Sequence, residues 1–176
     1  MSILSIVIYP NPVLAAVCEP VAKVTKEIQQ LLDDMAETMY LAPGLGLAAP
    51  QVGVMKRVIV LDTVWKGKNT KELYQLVNPI IVEKSGNIEW EEGCLSIPDF
   101  NQVMKRASKV TVKALDRHGK EIIVEGEEIL AVCLQHEIDH LDGKLIIDKA
   151  SRLKRKMYLE QIKKHAHHEQ QHPDDF

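Results

Sequence analysis

The chain is predicted to adopt an α+β fold: mixed, mainly antiparallel β-sheets around a central helix that carries the motif HEIDH (residues 136–140), with an N-terminal helix and a C-terminal helix outside them. Three observations predict it. Apolar residues recur at three- and four-residue steps in two long segments, which marks amphipathic helices. Short β-branched runs bounded by turn residues fill the middle of the chain. No repeat and no linker rich in Pro, Gly and Ser divides the 176 residues, and 45% hydrophobic against 5% aromatic residues fits one domain with an aliphatic core.

The elements follow in order. Thr25 is placed to cap a helix in which Ile28, Leu31, Leu32, Met35 and Met39 share a stripe, ending before Pro43 and Gly44. Residues 57–61, RVIVL, are continuous and β-branched, as in a buried strand. Residues 76–82 repeat that character around Asn78 and Pro79, and the proline places this strand at an edge or a bulge. Residues 109–115 alternate polar and apolar, 116–119 supply turn chemistry and 121–124 return, which makes a hairpin. Residues 127–141 are helical by pattern, with Ile129, Val132, Cys133, His136 and His140 on one stripe and Gly143 as a stop. A third helix is expected from near Ser151 to about Lys164. The single domain then spans 1–164, and 165–176 form a polar tail, with His165, His167, His168 and His172, that is expected to be disordered.

A net charge of -3, from 22 basic and 25 acidic side chains, supplies no global basic field of the kind nucleic-acid binding needs, so no sequence-specific DNA contact is expected. The apolar run at 3–8 lacks a basic leader, meets Pro10 and Pro12 at once, and is too short for a secretory core or a membrane span. Cys18, Cys94 and Cys133 are odd in number and widely spaced, which fits a reducing cytoplasm.

HEIDH is an H-E-x-x-H pattern. Four residues apart on a helix, His136 and His140 can reach one divalent metal while Glu137 bears on a water bound to it, the layout of a hydrolytic centre. Such a centre needs a third protein ligand and an open position. Cys94, in EEGCLS (91–96), is preferred; His118 in the hairpin turn is another donor, and Cys133 fits better as a small apolar wall residue. The segment GLGLAAPQ (44–51) lacks the spacing of a phosphate loop or a dinucleotide fingerprint, so its small residues read as room for close backbone approach by a ligand, with the Gln51 amide as a polar end.

Together GLGLAAPQ at 44–51, EGCLS at 92–96 and QHEIDH at 135–140 resemble the peptide deformylases, which carry G-x-G-x-A-A-x-Q, E-G-C-L-S and Q-H-E-x-D-H in this order. The resemblance implies one metal ion per chain on Cys94, His136 and His140, with Fe(II) as the family's usual ion, although zinc, nickel and cobalt suit the same donors. It implies Glu137 as general base, and the Gln51 side chain and Leu95 backbone N–H as donors to the oxyanion. The implied reaction is hydrolysis of the formyl group from N-formylmethionyl nascent peptides, releasing formate. By similarity Leu45, Trp90, Ile129, Val132 and Cys133 would wall the methionine pocket, and Leu45, Gly46 and Gly93 would pair with the peptide backbone.

Two positions depart from the pattern. Asn101 stands where many bacterial members carry an arginine that meets the peptide beyond methionine, and Pro50 should stiffen the approach to Gln51. In bacterial relatives a C-terminal helix docks on the ribosome, and here Lys149, Arg152, Lys154, Arg155, Lys156, Lys163 and Lys164 crowd that stretch, so contact with ribosomal RNA phosphates is expected. A zinc endopeptidase and a non-catalytic metal- or peptide-binding protein are the rival functions. An upstream cysteine ligand opposes the first, and the presence of Glu137, Gln51 and Leu95 opposes the second, because binding alone needs no general base.

Overall fold

The computed structural model describes residues 2–66 and 71–171, with the backbone alone over 165–171. Its elements are α1 (Lys26–Leu41), β1 (Gly46–Ala48), β2 (Val58–Leu61), β3 (Tyr74–Ser85), β4 (Ile88–Cys94), β5 (Ile97–Arg106), β6 (Lys109–Leu115), β7 (Glu121–Glu127), α2 (Glu128–Leu141) and α3 (Arg152–Gln171). Strands β1, β2, β3, β6 and β7 form one sheet in that order, and β4 and β5 form a separate hairpin; every pairing between them is antiparallel. The α+β architecture therefore holds.

The period of two along β2 explains why its sequence reads as an unbroken apolar run. Val58 and Val60 face α1 and pack with Leu32, Met35 and Met39, while Ile59 and Leu61 face α2 and pack with Ala131, Leu134, Ile138 and Leu141. A helix thus covers each face of the sheet. A third apolar cluster joins the hairpin to the end of the chain: Ile97, Phe100 and Met104 of β5 meet Leu145, Ile146 and Ile147, which precede α3, and Tyr158 of α3.

Pro79 sits at a bulge. Strand register shifts between Val77 and Ile80, Asn78 takes φ 51, and β2 pairs with β3 only as far as Val77. The Asn78 amide uses that geometry to bind both backbone groups of Val21, each at 2.8 Å.

Several elements differ from the sequence expectation. The glycine-rich segment contains a strand, β1, followed by a 3-10 turn over Ala49–Val52. The β4–β5 hairpin was not predicted, because Ile97, Phe100 and Met104 are its buried positions and their three- and four-residue spacing imitates a helix. Helix α3 continues to Gln171, through the first seven residues expected to be disordered; Ala, Glu and Gln favour helix, and Pro173 is the first residue in that stretch that opposes it. The rest of that tail, 172–176, lies outside the described residues.

Candidate active site

Helix α2 is buried around most of its circumference, as a helix with apolar residues on several faces must be. Ala131, Leu134, Ile138 and Leu141 meet the five-stranded sheet. Val132, Cys133, His136 and Glu137 turn toward a cleft of about 350 Å³ between α2, the segment entering β1, and β4.

Cys94 ends β4 at a bulge in the hairpin, where the register shifts so that it faces Ile97. Its Sγ lies 3.3 Å from His140 Nε2, which lies 3.2 Å from His136 Nε2. All three donor atoms fall within 4.8 Å of one another. Bonds of roughly 2.0–2.3 Å to a tetrahedral ion put neighbouring ligand atoms about 3.3–3.6 Å apart, so a thiolate and two imidazoles at these separations fit a divalent metal and leave a fourth position for water. His118 is elsewhere, on the turn between β6 and β7, where its N–H bonds Asp116. Cys133 lines the cleft, and burial pushes its thiol up to about 12, so it stands there as an uncharged wall.

The second ring nitrogen of His136 is held. Its Nδ1 lies 2.8 Å from Glu92 Oε2, and Arg106 grips the same carboxylate with Nε and Nη2 at 2.8 and 2.9 Å while Nη1 reaches Asp139 at 2.5 Å. Burial alone would raise the Glu92 pKa, but its bonds to Arg106 and His136 outweigh that and hold it below the ordinary carboxylate value. Sequence reasoning missed this support. Glu92 and Asp139 lie inside the motifs, but Arg106 is 14 residues from one and 33 from the other, and no local pattern marks it.

Burial works the other way on His140, which it pushes well below its ordinary value; the neutral imidazole that results is the form that binds metal. Its Nδ1 is buried without a partner among the described residues.

Glu137 is 4% exposed, and its Oε2 also has no partner among the described residues. Burial pushes its carboxyl up to about 7. Gly46 lies against it: a Cβ added there would come within 2.7 Å of Glu137 Cδ and 2.8 Å of Cγ, so only glycine lets the β1 edge approach the carboxylate.

Gln51, 1% exposed, projects from the 3-10 turn after β1. Its Oε1 accepts the Ala48 N–H at 2.9 Å, and its Nε2 donates to Ser96 Oγ at 3.1 Å and lies 3.6 Å from Cys94 Sγ. Pro50 sits inside that turn. Leu95, first residue of the β4–β5 turn, lines the cleft, as do Leu45, Gly46, Trp90, Gly93, Ile129, Val132 and Cys133. Asn101 pairs with Gly93 across the hairpin. Pro43, read in the sequence as a helix stop, and Lys66, which carried no signal there, also line the cleft.

A sequence profile of the polypeptide deformylase family matches residues 3–156. The peptide deformylase of Thermodesulfovibrio yellowstonii is 52% identical over 163 residues, covering 93% of this chain and 98% of that protein. That of Hydrogenovibrio crunogenus is 50% identical over 164 residues, covering 93% and 95%. Among solved structures, a peptide deformylase from Legionella pneumophila matches with a TM-score of 0.87 at 47% identity, over 94% of this chain and 96% of that one. One from Ehrlichia chaffeensis in complex with actinonin matches with a TM-score of 0.88 at 42% identity, over 93% and 98%. Sequence, fold and the grouping of the three motifs around one cleft thus agree: the chain belongs to the polypeptide deformylase family.

Proposed function

We propose that the chain hydrolyses the N-formyl group from the N-formylmethionyl ends of newly made polypeptides, releasing formate and a free methionine amine. The observation that carries this is the meeting, beside one cleft, of the Cys94, His136 and His140 donors with a buried Glu137 whose Oε2 is unpartnered among the described residues.

Cys94, His136 and His140 would hold one divalent ion, with Fe(II) the assignment carried over from family resemblance and zinc, nickel or cobalt able to use the same donors. When bound, such an ion lowers the pKa of a water from 15.7 to as little as about 7, which makes a nucleophile at neutral pH. Glu137 takes the proton of the water as it adds to the formyl carbon. When the C–N bond breaks, Glu137 returns that proton to the leaving amine nitrogen, so formate and the amine are the products.

The negative charge that builds on the formyl oxygen is met by the Gln51 amide and the Leu95 backbone N–H, donors that in such sites are each worth roughly 3 kcal/mol. Leu45, Trp90, Ile129, Val132 and Cys133 supply an apolar wall for the methionine side chain. β1 is an edge strand, so the peptide can add along Leu45 and Gly46 on one side and Gly93 on the other. Asn101, paired with Gly93, offers the following residues a neutral amide in place of a cation.

Formate release from an N-formylmethionyl peptide, measured for wild type and Glu137→Ala with metal content determined in both, tests this. Metal retained and turnover lost is the expected pair; equal turnover refutes the mechanism, and cleavage of unformylated peptides would point to an endopeptidase.

A cytoplasmic location, with action on chains as they leave the ribosome, goes with the same reading. Exposed Arg152, Lys156, Lys163 and Lys164 on α3, beside exposed Leu153 and Met157, support contact with ribosomal RNA phosphates. Tyr158 of the same helix is buried and its hydroxyl donates to the Pro98 carbonyl at 2.7 Å, so deleting α3 would disturb the hairpin that carries Cys94. Charge reversal at Lys156, Lys163 and Lys164 is the cleaner test: co-sedimentation with ribosomes at low salt should fall, and unchanged co-sedimentation removes the assignment.

A further inference from the structure

We infer that Trp65 is a positioning residue for the peptide-binding edge of the cleft. It lies outside every motif, on the connection between β2 and β3, and its indole bonds the backbone of Gly44 and not a group assigned to the reaction. The inference rests on the proposed deformylase function and adds to it the element that holds the β1 edge in place.

The segment entering β1 lines the cleft, and among the described residues β1 pairs with no strand but β2, so its other edge at Gly46 can take a substrate strand. The position of that free edge is set from behind. Gly44 N donates to Met39 O at 2.9 Å, Leu45 O accepts the Asp62 N–H at 2.9 Å, and Gly44 O accepts the indole N–H of Trp65 at 2.9 Å. Of these three bonds, only the last uses a side chain.

The indole is itself fixed. Its ring stands edge-on to Tyr40, with centroids 5.3 Å apart and planes at 82°. The Tyr40 hydroxyl donates to Asp62 Oδ2 at 2.8 Å. Asp62 is fully buried, and its carboxylate also accepts the backbone N–H groups of Val64, Trp65 and Glu72 at 3.0, 3.1 and 3.0 Å. One carboxylate therefore holds the backbones of Val64, Trp65 and Glu72, and the Trp65 indole reaches from there to Gly44.

The clearance at the other end of the edge is small. No Cβ fits at Gly46 beside Glu137, so packing fixes that end of the edge, and freeing Gly44 loosens the peptide-pairing end without moving the carboxylate. Losing the Trp65 bond should therefore weaken binding in proportion to how many substrate peptide groups lie along the edge. The chemical step, which Glu137 and the donor cluster carry, should be left alone.

The test is Trp65→Phe, which keeps an aromatic ring against Tyr40 and removes the donor. N-formyl-Met-Ala-Ser and N-formylmethionine are compared by formate release, with metal content and thermal melting as controls. KM for the tripeptide should rise about three- to tenfold, the range expected for one neutral hydrogen bond, with kcat kept. N-formylmethionine, which has no peptide group to lay on the edge, should keep its kcat/KM. Equal loss on both substrates, no change on either, or a fall in kcat with metal lost overturns the inference. If Trp65→Phe fails to fold, β-(3-benzothienyl)alanine at position 65 preserves the ring shape without the N–H and is judged by the same comparison. Wild type inactive on both substrates would instead refute the deformylase function, and the inference with it.

Discussion

His136 is tied to Glu92 by a 2.8 Å contact between Nδ1 and Oε2, and through it a helix residue and a hairpin residue become one unit. Arg106 closes the unit by holding Glu92 in β4 and Asp139 in α2 from β5. With both partners almost wholly buried, this is an ion pair whose disruption costs more than its formation contributes. Its service to the site is orientation: a carboxylate on Nδ1 aims Nε2 at the metal position and makes it the more basic nitrogen.

Glu92→Gln keeps the shape and removes that charge. Metal affinity should fall about 10- to 100-fold, the usual cost of losing such a partner. Competition against a chelator measures it, and turnover per bound metal should change far less. An unaltered metal affinity would mean that the helix alone orients His136.

Gly46→Ala should act on a different quantity. The added methyl would overlap the Glu137 side chain, so either the carboxylate or the β1 edge must move. A displacement of about 1 Å at a catalytic group is enough for a loss on the order of 10²-fold in turnover. Metal content should be unchanged, since none of the three donors touches Gly46. Formate release beside metal analysis separates the two effects, and near-normal turnover would show that the edge yields freely.

Much of this arrangement was readable in the sequence, and the unreadable remainder has a common cause. The HEIDH helix and the 109–124 hairpin state their burial through local periodicity and the RVIVL strand through an unbroken β-branched run, and the three motifs bring together both histidines, Cys94, Gln51 and Glu137. The β4–β5 hairpin hides because its buried residues do not alternate. Arg106 and Trp65 hide because each acts on residues far along the chain, one through a buried ion pair and the other through a backbone carbonyl, and neither contact leaves a spacing that a linear pattern can register.

Ser96 offers a test of the role proposed for Gln51. An amide that must present one N–H to an oxyanion has to be kept from flipping, and Ala48 N–H on its oxygen with Ser96 Oγ on its nitrogen do this. Ser96→Ala should lower kcat by about tenfold through loss of that bond, with KM little changed. Adding it to Gln51→Ala should cost nothing further, because the group being oriented is already gone. Additive losses in the double variant would show that Ser96 acts on the fold and not on Gln51.

Asp33 lies far from the cleft and should dominate one strand of the acid response. Arg117 binds its two oxygens with Nη1 and Nη2 at 2.7 and 3.0 Å, and Gln75 donates to Oδ1 at 3.1 Å, which joins α1 to β3 and to the turn between β6 and β7. The Arg117 bond, more than any other contact, holds the Asp33 carboxyl below its ordinary value. Because the folded pKa is the lower one, the stabilisation is complete above the unfolded value of about 3.9 and disappears as pH falls through the folded pKa. The pair is partly exposed and screened by water, so Asp33→Asn should cost only about 0.5–1 kcal/mol at pH 7. Below the folded pKa, wild-type Asp33 is protonated and resembles asparagine, so the stability gap between the two proteins should close toward zero as pH is lowered. Denaturant titrations of both proteins at matched metal content, from neutral pH down to the acid limit of folding, measure that gap. A gap that stays constant would assign the contribution of Asp33 to neutral hydrogen bonding and not to its charge.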